Sequence, residues 1–175
     1  MKRAFVGISG FVYQGWRGKF YPDDLSARRW LEFASRQFPT IELNGTFYSL
    51  KSPTTYRRWV AETPDDFVFA VKGSRFITHN LKLRNASAAL ANFFASGILA
   101  LGRKTGPFLW QLPAGYRFDA QRVDDFLAAL PRDSSAAARI AKKHDDRVKD
   151  PLTRSPARVP YRHAMASHTR GLRLL

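Results

Sequence analysis

Phe67-Val-Phe-Ala-Val71 lies between Pro64-Asp65-Asp66 and Lys72-Gly73, five apolar residues in succession with no polar alternation. A strand wetted on one face alternates apolar with polar residues, whereas a strand covered on both faces reads as a continuous apolar run. The run therefore predicts a buried parallel strand. Three further segments fit the same pattern: Ala4-Phe-Val-Gly-Ile8 before Ser9-Gly10, Thr40-Ile-Glu-Leu-Asn44, and Pro107-Phe-Leu-Trp-Gln-Leu112. More than twenty residues separate each strand from the next. Such connections suit right-handed parallel crossovers rather than hairpins.

The connecting segments carry helical spacing. Leu31, Ala34 and Phe38 recur at i, i+3 and i+7 after Asp24 or Ser26 as the cap, and Pro39 ends the pattern. Ser52 and Pro53 make a helix start for Thr54–Glu62. Leu90, Phe93, Phe94, Gly97, Ile98 and Leu101 predict one long helix from about Ala86 to Arg103. Val123, Phe126, Leu127 and Leu130 predict another, and an Ala-rich helix spans about Ser134–Arg147. Pro160-Tyr-Arg-His-Ala164 reads as the start of a fifth strand, while Met165–Leu175 shows neither period.

The order is α/β, either an open doubly wound sheet or a (β/α)₈ barrel. No Gly-x-Gly-x-x-Gly follows the first strand and no Walker A loop occurs, so a Rossmann or P-loop nucleotide site is unsupported. Helices are expected on one side of the sheet only, with Ile8, Leu43 and Val71 facing inward. A length of 175 residues suits one domain. Residues 1–149 read as its body and 150–175 as a basic, weakly ordered tail broken by Pro151, Pro156 and Pro160.

The absence of cysteine excludes disulfides, thiolate metal sites and a cysteine nucleophile. No apolar run is long enough for a membrane span, and the N-terminal apolar stretch is too short for a signal peptide. A cytoplasmic protein without membrane contact is expected. The formal charge is +15, and residues 139–175 alone carry 10 basic and 3 acidic residues. Such a field attracts nucleic acid or an anionic small molecule, or reflects an Arg-rich composition alone. Unpaired sheet edges would invite self-association.

In parallel α/β folds the loops after the strand C-termini form the site. Polar residues recur there: Ser9, Glu42 and Asn44, Lys72 followed by Arg75 and His79, and Gln111. Glu42 alternates with Ile41 and Leu43 and points into a barrel or crevice. It is a general base or ligand contact, or else a Glu42–Lys72 pair that fixes strand packing. Lys72 holds an anionic group or pairs with Glu42. His79 is an acid–base or hydrogen-bonding group. Tyr13, Trp16, Phe47 and Tyr48 stack on a ligand or roof the core. Glu42, Lys72 and His79 are the catalytic candidates. Ser9, Tyr13, Trp16, Arg17, Asn44, Tyr48, Arg75 and Gln111 are the ligand-binding candidates. His79 lacks companions for a metal, and no cofactor is expected.

Four motifs in order carry a family resemblance: Val6-Gly-Ile-Ser-Gly-Phe-Val-Tyr-Gln-Gly-Trp-Arg-Gly-Lys-Phe-Tyr-Pro22, Phe38-Pro-Thr-Ile-Glu-Leu-Asn-Gly-Thr-Phe-Tyr48, Phe67-Val-Phe-Ala-Val-Lys-Gly-Ser-Arg-Phe-Ile-Thr-His79 and Gly106-Pro-Phe-Leu-Trp-Gln-Leu-Pro113. Together they resemble the YecE-like family (domain of unknown function 72), from about residue 4 to His163 or Ala164. The resemblance implies a TIM (β/α)₈-type barrel and no particular activity. Family members continue through a second half of the barrel after this point, whereas Met165–Leu175 departs from them. The resemblance therefore implies an incomplete barrel of about four to five βα units out of eight. Three functions are open on these grounds. One is an enzyme or binder of a phosphorylated or sugar-like ligand, the second is a nucleic-acid-binding protein, and the third is a non-functional truncated or frameshifted fragment.

Overall fold

The computed structural model describes residues 4–167 and the backbone of residues 173–174. Its sheet runs β1 (Ile8–Ser9), β2 (Thr40–Leu43), β3 (Val68–Lys72), β4 (Thr105–Leu112) and β5 (His163–Ser167), with β6 (Arg173–Leu174) at the far side. The first five strands are parallel and lie in chain order; β6 pairs antiparallel with β5. A doubly wound sheet reverses its strand order at a switch point, and this order does not reverse. β1 is shorter than the apolar run Ala4–Ile8 suggested, and β5 begins three residues after Pro160.

Burial alternates along the strands. Ile41, Leu43, Phe69, Val71, Phe108 and Trp110 are fully buried, while Thr40, Glu42, Val68, Ala70, Lys72, Leu109 and Gln111 are half-buried. The first set packs under the helices; the second lies on the opposite face. Two expectations are corrected here. Leu43 and Val71 face the helix layer rather than inward, and Ile8 is half-buried against the same core. β3 is fully covered on one face only, because the helices pack on that face alone; a run of apolar residues does not mark which of them lie under helices.

The helices are α1 (Trp30–Gln37), α2 (Gly45–Tyr48), α3 (Pro53–Glu62), α4 (Ser87–Ala95), α5 (Ala120–Ala129) and α6 (Ser134–Ala141). Ser26 heads a 3₁₀ turn, Ala27–Arg29, without a side-chain capping bond, so α1 starts later than either predicted cap. Ser52 caps α3, its Oγ accepting from Thr55 N at 3.3 Å. The long helix predicted from Ala86 to Arg103 is broken. Gly97 has φ of 127°, and a 3₁₀ segment, Ile98–Lys104, follows. A Cβ on Gly97 would lie 2.6 Å from Pro53 Cα, so the break lets α3 approach. α6 ends at Ala141 rather than Arg147. Beyond it Asp145 clasps α4: Asn92 Nδ2 donates to Asp145 Oδ1 at 3.0 Å, and Asp145 N donates to Asn92 Oδ1 at 3.0 Å.

Aromatic rings fill the layer between sheet and helices. Phe93 and Phe94 of α4 meet Phe108 at 6.4 and 5.5 Å, and Trp110 meets Phe126 of α5 at 5.1 Å. Lys104 is buried at the end of the 3₁₀ segment. Its Nζ donates to Val60 O and Thr63 O, each at 2.8 Å, and to Thr63 Oγ1 at 3.1 Å. All three ammonium protons are thus used on the end of α3, where carbonyls lack helical partners.

Residues 150–162 run back across the helix layer. Leu152 N donates to Ala95 O at 2.7 Å, Ser134 N to Val159 O at 2.9 Å and Tyr161 N to Arg132 O at 2.8 Å. Met165–Ser167 belong to β5. Most of the remaining expectation for Met165–Leu175 falls outside the described residues. No helix among the described residues is long and apolar enough to cross a membrane.

Candidate functional site

The strand register assembles the site. Ser9 is paired with Glu42, and Glu42 with Ala70, which precedes Lys72 by two residues. Lys72 is paired with Leu109, which precedes Gln111 by two. Side chains two residues apart on a strand share a face. Ser9, Glu42, Lys72 and Gln111 therefore occupy the C-terminal part of the sheet on the face opposite the helices.

Glu42 is the centre of the cluster. Ser9 Oγ donates to Glu42 Oε1 at 2.7 Å, and Asn44 Nδ2 donates to Ser9 Oγ at 2.8 Å. Lys72 Nζ lies 3.6 Å from the same carboxylate oxygen, with the two side chains 16% and 18% exposed. Ser9 thereby passes polarity from the Asn44 amide to the carboxylate, and water still reaches the ion pair. Tyr13 fixes the Ser9 backbone, its hydroxyl donating to Ser9 O at 2.6 Å. Gly10 N donates to Glu42 O at 2.8 Å, so the loop after β1 is pinned beside β2.

An aromatic wall flanks the cation. Lys72 Nζ stands 5.3 Å from the Phe47 ring centroid, a cation–π distance. Phe47 meets His79 edge-on at 5.2 Å and Tyr48 at 5.0 Å. His79 lies in the π-helical turn Phe76–Asn80, where Thr78 Oγ1 is 2.9 Å from its Nδ1. Arg75 heads that turn and is exposed, and Tyr48 is 74% exposed. Trp16 and Arg17 make their described contacts within their own loop. Trp16 packs on Tyr13 at 4.6 Å, and Arg17 Nη2 donates to Leu25 O at 3.4 Å.

Two residues with positioning roles escaped the sequence reading. Thr46 Oγ1 lies 2.6 Å from Leu43 O and 2.7 Å from Lys72 O, sharing its proton between the ends of β2 and β3. Thr78 orients His79. A small hydroxyl residue in a single helical turn carries no hydropathy pattern that would single it out. Among the described residues, no group of three or more His, Asp or Glu side chains is placed to hold a metal.

The class is an α/β protein with a sequentially wound parallel sheet, helices on one face and a polar cluster at the strand C-termini. Residues 5–164 match the model of the family described as protein of unknown function DUF72, and the chain belongs to that family. It is similar to the UPF0759 protein YunF of Bacillus subtilis (strain 168), with 31% identity over 74 residues, 42% of this chain and 25% of the relative. It is similar also to the UPF0759 protein YecE of Escherichia coli (strain K12), with 34% identity over 86 residues, 49% of this chain and 31% of the relative. Among solved structures, a DUF72 family protein of Thermotoga maritima MSB8 superposes with a TM-score of 0.64 at 24% identity, covering 93% of this chain and 55% of that one. A DUF72 family protein of Enterococcus faecalis V583 superposes with a TM-score of 0.52 at 17% identity, covering 71% of this chain and 44% of that one. The chain thus spans about half of the first of these folds, and its matched stretches span less than a third of the curated relatives.

Proposed function

We propose that the chain supplies the first βα units of a (β/α)₈-type barrel whose Ser9–Glu42–Lys72 cluster binds a small polyhydroxylated, phosphate-bearing ligand. The sequential parallel order and the one-sided helix layer support the barrel. The observation that carries the ligand reading is the Glu42 carboxylate, held by Ser9 at 2.7 Å beside Lys72 at 3.6 Å on the face away from the helices. A carboxylate accepts from sugar hydroxyls, an ammonium attracts a phosphate, and rings such as Phe47 and Tyr13 offer apolar faces to a sugar. With a reacting ligand, Glu42 is the general base, Lys72 holds the anionic group and His79 moves a proton.

Calorimetric titration with a panel of sugar phosphates and the parent sugars tests this reading. The phosphates are expected to bind more tightly than the sugars, with Lys72→Met removing that difference and Glu42→Gln weakening both. Equal binding by the two variants and the parent chain overturns it. The net charge of +15 favours nucleic acid as a second reading. Its mark is affinity for oligonucleotides that falls steeply with salt and is indifferent to Glu42→Gln.

A further inference from the structure

A second basic feature lies at the same end of the sheet but away from Glu42. The connection after β3 and the connection after β4 enclose a groove of about 530 Å³ against the start of α4 and the length of α5, lined in part by Arg84, Ser87, Arg122 and Phe126. It adjoins a smaller hollow of about 310 Å³, lined in part by Lys82, Arg84, Arg117 and Phe118. Arg84, Asp119 and Arg122 line both, so the two form one continuous depression. Its combined size is that of a small-ligand site.

The charge in it is unbalanced. Asp119 is engaged by Arg122 Nη2 at 2.7 Å and by Arg122 N at 3.0 Å, and Asp125 accepts from Gln121 Nε2 at 2.8 Å. Asp119 is thus paired with Arg122, while Asp125 is bonded to a neutral amide and keeps its charge; the cations of the lining still outnumber the carboxylates. Lys82, Arg84 and Arg117 are exposed, and none of them takes part in an ion pair among the described residues.

Two of those cations stand on a turn whose backbone is held in place. Lys82 and Leu83 have φ of 50° and 69°, and Asn85 has 47°, three non-glycine residues in the left-handed region within four positions. Such residues persist only where their surroundings over-determine them. Here Leu83 is 4% exposed, and its N donates to Ile77 O at 3.0 Å. The buried leucine pins the backbone of the turn, which sets the Cα positions of Lys82 and Arg84 on either side of it. A turn already held loses little backbone freedom on binding. Phe118, 78% exposed beside Arg117, offers a flat apolar face at the rim of the same depression.

We propose that this depression binds a nucleoside phosphate, with Lys82, Arg84 and Arg117 on the phosphates and Phe118 against the base. It is separate from the Glu42 cluster and stands or falls without it.

The experiment is titration of the full chain with ADP and with pyrophosphate at fixed ionic strength. The variants are Lys82→Ala/Arg84→Ala, Phe118→Ala, and Arg139→Ala/Lys142→Ala, which removes two charges at the end of α6 and just beyond it. Thermal melts establish that each variant is folded, and Arg117→Ala replaces the Lys82/Arg84 double variant if the latter is not. The first variant is expected to lose at least tenfold in affinity for both probes. Phe118→Ala should weaken ADP alone, and the Arg139/Lys142 variant should bind as the parent does. Equal losses in the Arg139/Lys142 and Lys82/Arg84 variants would mean diffuse charge attraction and overturn the site. So would unchanged binding by the Lys82/Arg84 and Arg117 variants. Affinity that climbs with oligonucleotide length beyond two nucleotides would overturn a small nucleotide in favour of an extended strand.

Discussion

Ser9 and Glu42 are thirty-three residues apart in the chain, yet Ser9 Oγ donates to Glu42 Oε1 at 2.7 Å because β1 and β2 pair in the register that sets these two side by side. Lys72 reaches the same oxygen from the next strand. The pair keeps some contact with water, which limits what it contributes to stability. Glu42→Gln is therefore expected to cost about 1 kcal/mol in urea unfolding, well short of the cost of orphaning a fully buried charge. A loss of 3 kcal/mol or more would make the pair a packing device and weaken the ligand reading.

Lys104 is the opposite case. Its ammonium is buried and gives all three protons to the end of α3. Lys104→Met keeps the bulk of the stem but leaves the Val60 and Thr63 carbonyls without that donor. A destabilisation of about 3 kcal/mol is expected, read as a drop in the urea midpoint at unchanged slope. A midpoint equal to the parent's would show that water replaces the ammonium.

Gly97 separates α4 from the 3₁₀ segment at φ of 127°, with Pro53 Cα where a Cβ would be. Gly97→Ala combines backbone strain with a collision against α3. About 2 kcal/mol or more should be lost. Gly115→Ala, where a Cβ meets nothing within 4 Å, is the control and should melt as the parent does.

His163 gives a pH dependence whose sign follows from its surroundings. Trp110 Nε1 donates to its Nδ1 at 3.2 Å, so the proton sits on Nε2, which is 2.8 Å from Pro131 O. Burial pulls the imidazole below its usual 6.5, only partly opposed by the Pro131 carbonyl. The unfolded chain thus takes up a proton at a pH where the folded chain does not. This contribution to stability is complete above pH 6.5, declines as the pH falls below it, and stops declining once the folded imidazole titrates. Unfolding free energies measured between pH 7.5 and 5, on a ~1-unit grid, should show a steeper fall for the parent chain than for His163→Gln. Parallel curves would remove His163 as the source.

The strand order was legible because each strand is an apolar run set off by Pro, Gly or Asp, as around Phe67–Val71. The cluster was legible because a carboxylate at Glu42 interrupts such a run and has Lys72 at the end of the next. Which residues lie under the helices was harder to read. In a run where every side chain is apolar, only a polar marker sets the parity, and Leu43 follows Glu42 on the other face. The break at Gly97 was hidden by Ile98 and Leu101, which continue the helical spacing although the backbone does not. Thr46 and Thr78 sit inside the family motifs, but their hydroxyl bonds to main-chain oxygens and to His79 leave no mark in residue type or spacing. Arg17, read as a ligand contact, is turned to Leu25 by the fold of its own loop.

The chain-order arrangement of β1 to β5 also bears on how the protein is made. Each new strand adds beside the one synthesised just before it, and the connecting helix packs on elements already present. No strand among these five waits for a partner from a distant part of the sequence. Contacts that close short loops form faster than those that close long ones. The sheet can accordingly grow by accretion as the polypeptide emerges, one βα unit at a time, with the newest strand as the unpaired edge at each stage.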